Sequence, residues 1–185
     1  MDTIHRPRAH PAGRRLAVYL AVASMLTLGS TATATAGAVQ HVAGRPTLTW
    51  GETRTYDDGL QVTVARPTAF TPSATSAGHR SGHQAVAWKI TLKNPTGEPF
   101  ETALVAVYAK YGQAGEQAER VFDSAKAIGS GFEGSVGPGR SATATYVFDI
   151  PKAGTDLLDL EVVPHVITHD GAHWTGPLSP RTGRG

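Results

Sequence analysis

The chain has 185 residues, among them 21 glycines, 12 prolines and no cysteine, and its formal charge is +2. The absence of cysteine excludes both a disulfide framework and a lipid-bearing thiol. Residues 1–38 contain four arginines and one aspartate, whereas residues 39–185 contain 13 basic and 14 acidic residues. Because nucleic-acid binding depends on a basic face, the nearly neutral body argues against a nucleic-acid partner.

The first 38 residues have the organisation of a secretory signal. A basic region ends at Arg15, an apolar stretch follows over Leu16–Leu28, and small residues form A-x-A cleavage sites that end at Ala36 and Ala38. The apolar stretch is shorter than the roughly 20 residues that a transmembrane helix requires. The sequence therefore predicts a signal peptide over 1–38 and a secreted, extracellular protein with no membrane anchor after cleavage.

The next part of the chain predicts a linker and two short strands. Residues 39–47 have few apolar side chains and are interpreted as the linker. Leu48 and Trp50 suggest a first edge strand, and the alternation over Leu60–Val64 predicts a second. Residues 67–82 are rich in Thr, Ser, Ala, Pro and Gly, which favours a long mobile loop.

Two further strands follow, and the first of them carries a large aromatic side chain. Val86–Leu92 alternates with Trp88 at its centre, so Trp88 is the expected packing anchor of the core. Phe100–Tyr111 is apolar on both parities, which predicts one long strand that is covered on both faces or carries a bulge. A short strand at Arg120–Phe122 and an irregular glycine-rich stretch at 129–139 come next.

The clearest strand of the sequence lies within Gly137–Pro151. A Gly-Pro-Gly turn opens it, and alternate residues from Ala142 to Ile150 are apolar. We expect this strand near the centre of one sheet, facing Trp88 across the core.

The C-terminal part predicts two more strands. Leu158–Val162 alternates, and the outer parity continues through His165 and Ile167 past Pro164, which predicts an edge strand or a bulge. A hairpin turn leads into a last short strand near Trp174. Residues 176–185 are interpreted as a disordered tail.

These elements together predict the fold class. About seven or eight short strands and no convincing helix indicate an all-β, antiparallel, immunoglobulin-like β-sandwich over residues 48–175 that lacks a disulfide.

The histidines form the only cluster that suggests chemistry. Three of them recur every four residues near the C-terminus, with an aspartate between them: His165, His169, Asp170 and His173. Imidazole and carboxylate groups are suitable ligands for Zn²⁺ or Cu²⁺, but residues four apart on a strand lie roughly 13 Å from one another. A metal site therefore requires a turn at Asp170 to bring the rings together; otherwise these are surface histidines. A second pair, His79 and His83, lies in and beside the 67–82 loop.

No catalytic signature accompanies these residues. The sequence has no G-x-S-x-G nucleophile elbow and no recognisable pair of catalytic carboxylates. We therefore expect a protein that is not an enzyme and has no cofactor. The interpretation that remains is an interaction module that binds an unknown protein or a cell-envelope component through the loops at 67–82, 112–119 or 129–139. The alternative is a secreted metal-binding protein that uses the C-terminal histidine cluster.

An ordered set of motifs resembles a known family. The motifs are Leu60-Gln-Val-Thr-Val64, a strand that ends in Asn94-Pro-Thr96, and the stretch from Val136-Gly-Pro-Gly to Phe148-Asp-Ile-Pro151. Over residues 47–178 the chain resembles the secreted bacterial domains of unknown function that are grouped with a mycobacterial immunoprotective extracellular antigen. The resemblance implies an immunoglobulin-like sandwich, export and no established enzymatic activity. Many members carry a lipid-attachment cysteine, which this chain lacks, and no functional residues are carried over.

Overall fold

The computed structural model describes residues 47–179. The signal peptide predicted at 1–38, nearly all of the linker predicted at 39–47, and residues 180–185 lie outside this range. Over 47–179 there is no helix long and apolar enough to cross a membrane.

Strands make up nearly all of the regular secondary structure in the described range. The thirteen strands are β1 Thr47–Thr49, β2 Thr53–Thr55, β3 Gln61–Val64, β4 Thr68–Phe70, β5 His83–Asn94, β6 Phe100–Glu101, β7 Ala106–Tyr111, β8 Glu116–Gln117, β9 Glu119–Val121, β10 Ser135–Val136, β11 Arg140–Pro151, β12 Leu158–Val163 and β13 Ala172–Gly176. Two single-turn 3₁₀ helices lie at Ser124–Lys126 and Lys152–Gly154.

The strands form two main sheets that pack as a sandwich. The first sheet has the order β1-β13-β12-β7-β8; the second has the order β2-β3-β5-β11-β9, with β4 also paired to β5; and β10 pairs with β6 in a small separate ribbon. Every pair is antiparallel except β1 with β13. The prediction of an all-β, immunoglobulin-like sandwich is confirmed. There are more strands than the seven or eight predicted, because several have only two or three residues and leave no alternation to detect.

The second sheet is organised around two long strands. β11 pairs with β5 over the full twelve residues of both strands, with Tyr146 opposite Trp88. The expectation that β11 faces Trp88 across the core is therefore wrong: Trp88 lies on the adjacent strand of the same sheet. Its ring contacts the Phe148 ring edge-on, with the centroids 5.9 Å apart.

The core lies between the two sheets, and the alternate residues of β11 that the sequence predicted to face inward are the ones buried in it. Tyr146, Phe148 and Ile150 of β11 are buried in it beside Trp88, and the first sheet contributes Trp174. These large side chains account for the apolar packing that stabilises a domain without disulfides.

Three predictions about individual strands are wrong. The long strand predicted over Phe100–Tyr111 is interrupted by a turn at Thr102, whose carbonyl accepts a hydrogen bond from the Val105 N–H, and β6 and β7 pair with different strands. β12 is not an edge strand, because it pairs with β7 on one side and β13 on the other. It ends at Val163, so Pro164 falls after the ladder, where its missing N–H removes no hydrogen bond.

The segment 67–82 is not the mobile loop that its composition suggested. It contains β4, and Ala77 exchanges two backbone hydrogen bonds with Phe122. Ser73 donates its N–H and its hydroxyl to the buried carboxylate of Asp123. These hydrogen bonds, the backbone one first, hold the pKa of Asp123 below its usual value although burial acts in the opposite direction.

The predicted ends of the domain also need adjustment. Thr47, assigned to the linker, is the first residue of β1, and the turn at Trp50 follows that strand. At the other end, Gly176 closes β13 and Leu178 donates its N–H to the Thr155 carbonyl and packs on the core. Residues 176–179 therefore belong to the sandwich and not to a disordered tail.

Candidate functional site

The predicted metal ligands do not meet at one point. The His165 and His169 rings are neighbours, with centroids 6.4 Å apart, in the connection between β12 and β13. His173 lies on β13, where its Nδ1 is 2.8 Å from Asp159 Oδ1 and its Nε2 is 3.7 Å from Glu161. Asp170 is exposed and lines a pocket together with His169, but neither His165 nor His173 lines that pocket. Across residues 47–179 no group of three or more His, Cys, Asp or Glu side chains has a geometry that could hold a metal ion. The metal-binding alternative is therefore not supported.

His169 instead forms part of a pocket at one end of the sandwich, which we call the loop end. The loop end consists of the β2–β3 turn and the β12–β13 connection. His169 Nε2 lies 3.0 Å from Asp58 Oδ2, which ties these two loops together. The pocket has a volume of about 320 Å³ and is lined by Arg54, Tyr56, Asp57, Asp58, Thr168, His169 and Asp170.

Tyr56 is the buried aromatic wall of the pocket. It is 8% exposed, and its hydroxyl has no hydrogen-bond partner among residues 47–179. Burial raises the pKa of Tyr56 to about 12; the Arg54 charge opposes that rise, and the Asp170 and Asp58 carboxylates add to it. The Arg54 guanidinium lies 5.2 Å from the centre of the Tyr56 ring, in cation–π contact.

The His169 ring completes this aromatic group. It stands edge-on to Tyr56, with ring centroids 5.0 Å apart, and edge-on to Phe100 at 6.1 Å. The pocket therefore combines aromatic walls with three rim carboxylates and one guanidinium, a surface suited to polar or cationic groups of a partner.

Exposed apolar side chains lie at the same end of the first sheet. Leu104 is 40% exposed, Val166 52% and Ile167 78%. The two loops that carry them are joined by a hydrogen bond from the Val166 N–H to the Leu104 carbonyl. Apolar side chains grouped in this way at a loop end are typical of interaction surfaces. Sequence reasoning missed this group, because Val166 and Ile167 were interpreted as a continuation of β12.

A second cluster joins the other two histidines that the sequence singled out. Nδ1 of His79 lies 2.6 Å from Asp149 Oδ1, and Nδ1 of His83 lies 2.7 Å from Asp149 Oδ2. The Asp149 side chain is 1% exposed and also accepts the Arg80 N–H at 3.3 Å. The His79 ring therefore holds the segment before β5, and the His83 ring the first residue of β5, against the outward face of β11. The sequence contained a signal for this cluster, since Asp149 is the only acidic residue of β11 and lies on its polar side.

The other two loops considered as binding surfaces are partly ordered into strands. The 112–119 stretch contains β8 and the first residue of β9, and the Ala118 N–H bonds the Ala109 carbonyl. The 129–139 stretch contains β10, and the Phe132 ring packs 6.0 Å from Tyr146.

Comparison with known proteins supports the fold. No family model matches the sequence, and no curated protein matches it. Among solved structures, YjhA from Bacillus subtilis gives a TM-score of 0.56 at 12% identity, covering 69% of this chain and 97% of its own. The secreted protein MPT63 from Mycobacterium tuberculosis gives 0.51 at 17% identity, covering 73% of this chain and 99% of its own.

YcdA, also from Bacillus subtilis, gives a TM-score of 0.56 at 11% identity over 70% of this chain, and the match spans 39% of the length of YcdA. At these identities the likeness shows a shared β-sandwich fold. It does not transfer an activity or a partner.

Proposed function

We propose that this chain is a secreted, non-enzymatic, immunoglobulin-like binding domain whose partner is a protein or a cell-envelope component, and that the partner binds at the loop end. The observation that carries this proposal is the grouping of Leu104, Val166 and Ile167, all exposed, beside the polar pocket around Tyr56 and His169. An apolar anchor beside a polar rim is the arrangement that protein interfaces use.

Two further observations agree with the proposal. The N-terminal residues have the composition of a secretory signal, and the fold is shared with MPT63, which is described as a secreted protein. The ordered motifs also resemble the family of mycobacterial immunoprotective extracellular antigens. Loops at one end of a sandwich are the usual binding site of immunoglobulin-like domains.

Capture experiments with the mature domain test the binding surface. Immobilised residues 39–185 are exposed to the native secretion fraction and, separately, to solubilised envelope material. We expect capture of a defined partner by the native domain and its loss with Ile167→Asp, which places a charge on the most exposed apolar side chain of the loop end. Phe122→Ser, at an exposed apolar residue next to β9, is the matched control and should retain capture.

The possible results distinguish an error in the location of the binding surface from an error in the proposal as a whole. Equal capture by all three proteins excludes the loop end as the binding surface, and no capture by the native domain contradicts the proposal as a whole. Turnover of generic ester, peptide or glycoside substrates by the purified domain contradicts its non-enzymatic part.

A further inference from the structure

The second sheet has a polar outward surface on its side away from the core, next to the β2–β3 turn of the loop end. One row of this surface contains a threonine from each of four adjacent strands, because Thr53 pairs with Thr63, Thr63 with Thr91, and Thr91 with Thr143. Residues directly opposite one another in an antiparallel sheet share a face, so the four side chains lie side by side. At a strand spacing of about 4.8 Å, the row extends roughly 14 Å.

Two lysines flank this row on β5. Lys93 and Lys89 lie two residues on either side of Thr91 and therefore point to the same face, and both are exposed. Their neighbours on β11 are Ser141 and Thr145. We call this surface the threonine face, defined by Thr53, Thr63, Lys89, Thr91, Lys93 and Thr143.

The hydroxyl groups of the row are already oriented in pairs. Thr53 Oγ1 lies 2.7 Å from Thr63 Oγ1, and Thr91 Oγ1 lies 2.9 Å from Thr143 Oγ1. A hydroxyl has one donor and two acceptor sites, so each pair keeps a donor and acceptors for a molecule that approaches the face. The pairing also fixes the rotamers of the threonines in advance, which reduces the entropy lost on binding.

The charge of the face selects the kind of partner. Within the described strands β2, β3, β5 and β11, the outward positions that surround the row are Thr55, Gln61 and Ser141 on one side and Thr145 on the other, none of them acidic. The face is therefore cationic although the mature chain as a whole is not. It presents regularly spaced hydroxyls between two lysines whose Cα atoms lie about 13 Å apart along β5. A long, flat polymer that carries both hydroxyls and negative charges complements both features.

We propose that the threonine face binds an anionic polysaccharide. Lys89 and Lys93 contact acidic groups along the polymer, and the threonine hydroxyls exchange hydrogen bonds with the sugar hydroxyls between them. This site shares no residue with the pocket at the loop end, so each can be tested with its own variants.

Polygalacturonate, a carboxylated polysaccharide, is the probe, and it is titrated into the mature domain at low ionic strength. Dextran supplies sugar hydroxyls without charge, and polyglutamate supplies carboxylates without sugar. We expect polygalacturonate to bind more tightly than either control polymer and to weaken as salt is added, because exposed ion pairs are screened. The double variant Lys89→Gln/Lys93→Gln should lower the affinity roughly tenfold.

Matched variants locate the site. Thr91→Val removes a hydroxyl at constant shape and should weaken binding severalfold without changing the melting temperature. Lys152→Gln, at an exposed lysine outside this sheet, and Ile167→Asp, at the loop end, should leave the polygalacturonate affinity unchanged. Equal binding of polyglutamate, equal binding of dextran, or an unchanged affinity in the double variant would each overturn the proposal.

Discussion

The two halves of the outward side of β11 differ in burial, although their residues alternate along the same strand and point to the same side. Ser141 and Thr143 are exposed, whereas Val147 and Asp149, further along the same side, are buried. The inward side is more uniformly buried, since Ala144, Tyr146, Phe148 and Ile150 all lie in the core and Ala142 is half-buried. Alternation thus predicts which side of the strand packs against the other sheet. It does not predict which parts of the opposite side are covered by other segments of the chain.

The buried half of this side is covered by segments of the chain whose sequence has little alternation of apolar and polar residues. Val147 packs in a small cluster with Ala85, Val121 and Ile128, against which Phe70 of β4 also packs. Asp149 forms hydrogen bonds with His79 and Arg80, which precede β5, and with His83, the first residue of β5. The other half has no such cover in the described chain, and it carries the threonine face. The same sheet therefore has one half covered by other parts of the chain and one half exposed to solvent.

The largest effect is expected on the inward side of β11. Phe148→Ala should lower the free energy of unfolding by about 3–5 kcal/mol, because a buried aromatic ring in contact with Trp88 is removed. Thr143→Ala on the open half should change it by less than about 0.5 kcal/mol. Urea denaturation of both variants gives the comparison, and similar losses in the two would contradict the assignment of the faces.

On the covered half, removing the buried carboxylate of Asp149 should lower the stability of the domain. Asp149→Ala removes the acceptor that serves His79, His83 and the Arg80 N–H, and we expect a loss of about 2–3 kcal/mol. Asp159→Ala breaks a more exposed pair with His173 and should cost less than about 1 kcal/mol. Denaturant midpoints at neutral pH measure both. Equal losses in the two variants would show that Asp149 does not hold the segment containing His79, Arg80 and His83 in place.

Two glycines of the covering segment test how closely it packs. Gly78 and Gly82 both have positive φ, at 85° and 82°, so alanine is strained at either position. A Cβ at Gly78 would also collide with the Arg120 carbonyl, whereas Gly82 faces open space. Gly78→Ala should therefore destabilise the domain by at least about 1 kcal/mol more than Gly82→Ala in thermal or urea unfolding. Equal effects would mean that the segment does not lie against β9.

The last expected effect is at the loop end and appears only in alkaline solution. Burial raises the pKa of Tyr56 to about 12 in the folded protein, whereas an unfolded tyrosine titrates near 10. The folded state therefore holds this proton more tightly, and its contribution to stability is complete below pH 10 and is lost as the pH rises towards 12. Over that interval the native protein should lose more stability than Tyr56→Phe. Parallel loss in the two proteins would place Tyr56 in contact with solvent.

The sequence predicted those parts of the fold that depend on regular alternation. β3, β5, β11 and β12 were recognisable because large apolar residues such as Trp88 and Phe148 recur at every second position between turn residues. β4 escaped detection because it has three residues and follows a proline. The loop end could not be predicted, since the Asp58–His169 contact joins residues 111 positions apart. The spacing of the histidines did not predict which groups they contact, because a turn places His169 and His173 against different carboxylates.

Hydrogen exchange of the backbone amides in residues 73–80 tests most directly whether one half of the outward face is covered. The Ser73, Ala77 and Arg80 N–H groups donate to Asp123, Phe122 and Asp149, respectively. We predict that these amides exchange slowly, with protection that approaches that of the β5 ladder and is lost for Arg80 in Asp149→Ala. Exchange at the rate of a free chain in the native protein would show that the segment is a mobile loop, and the division of the outward face would have to be abandoned.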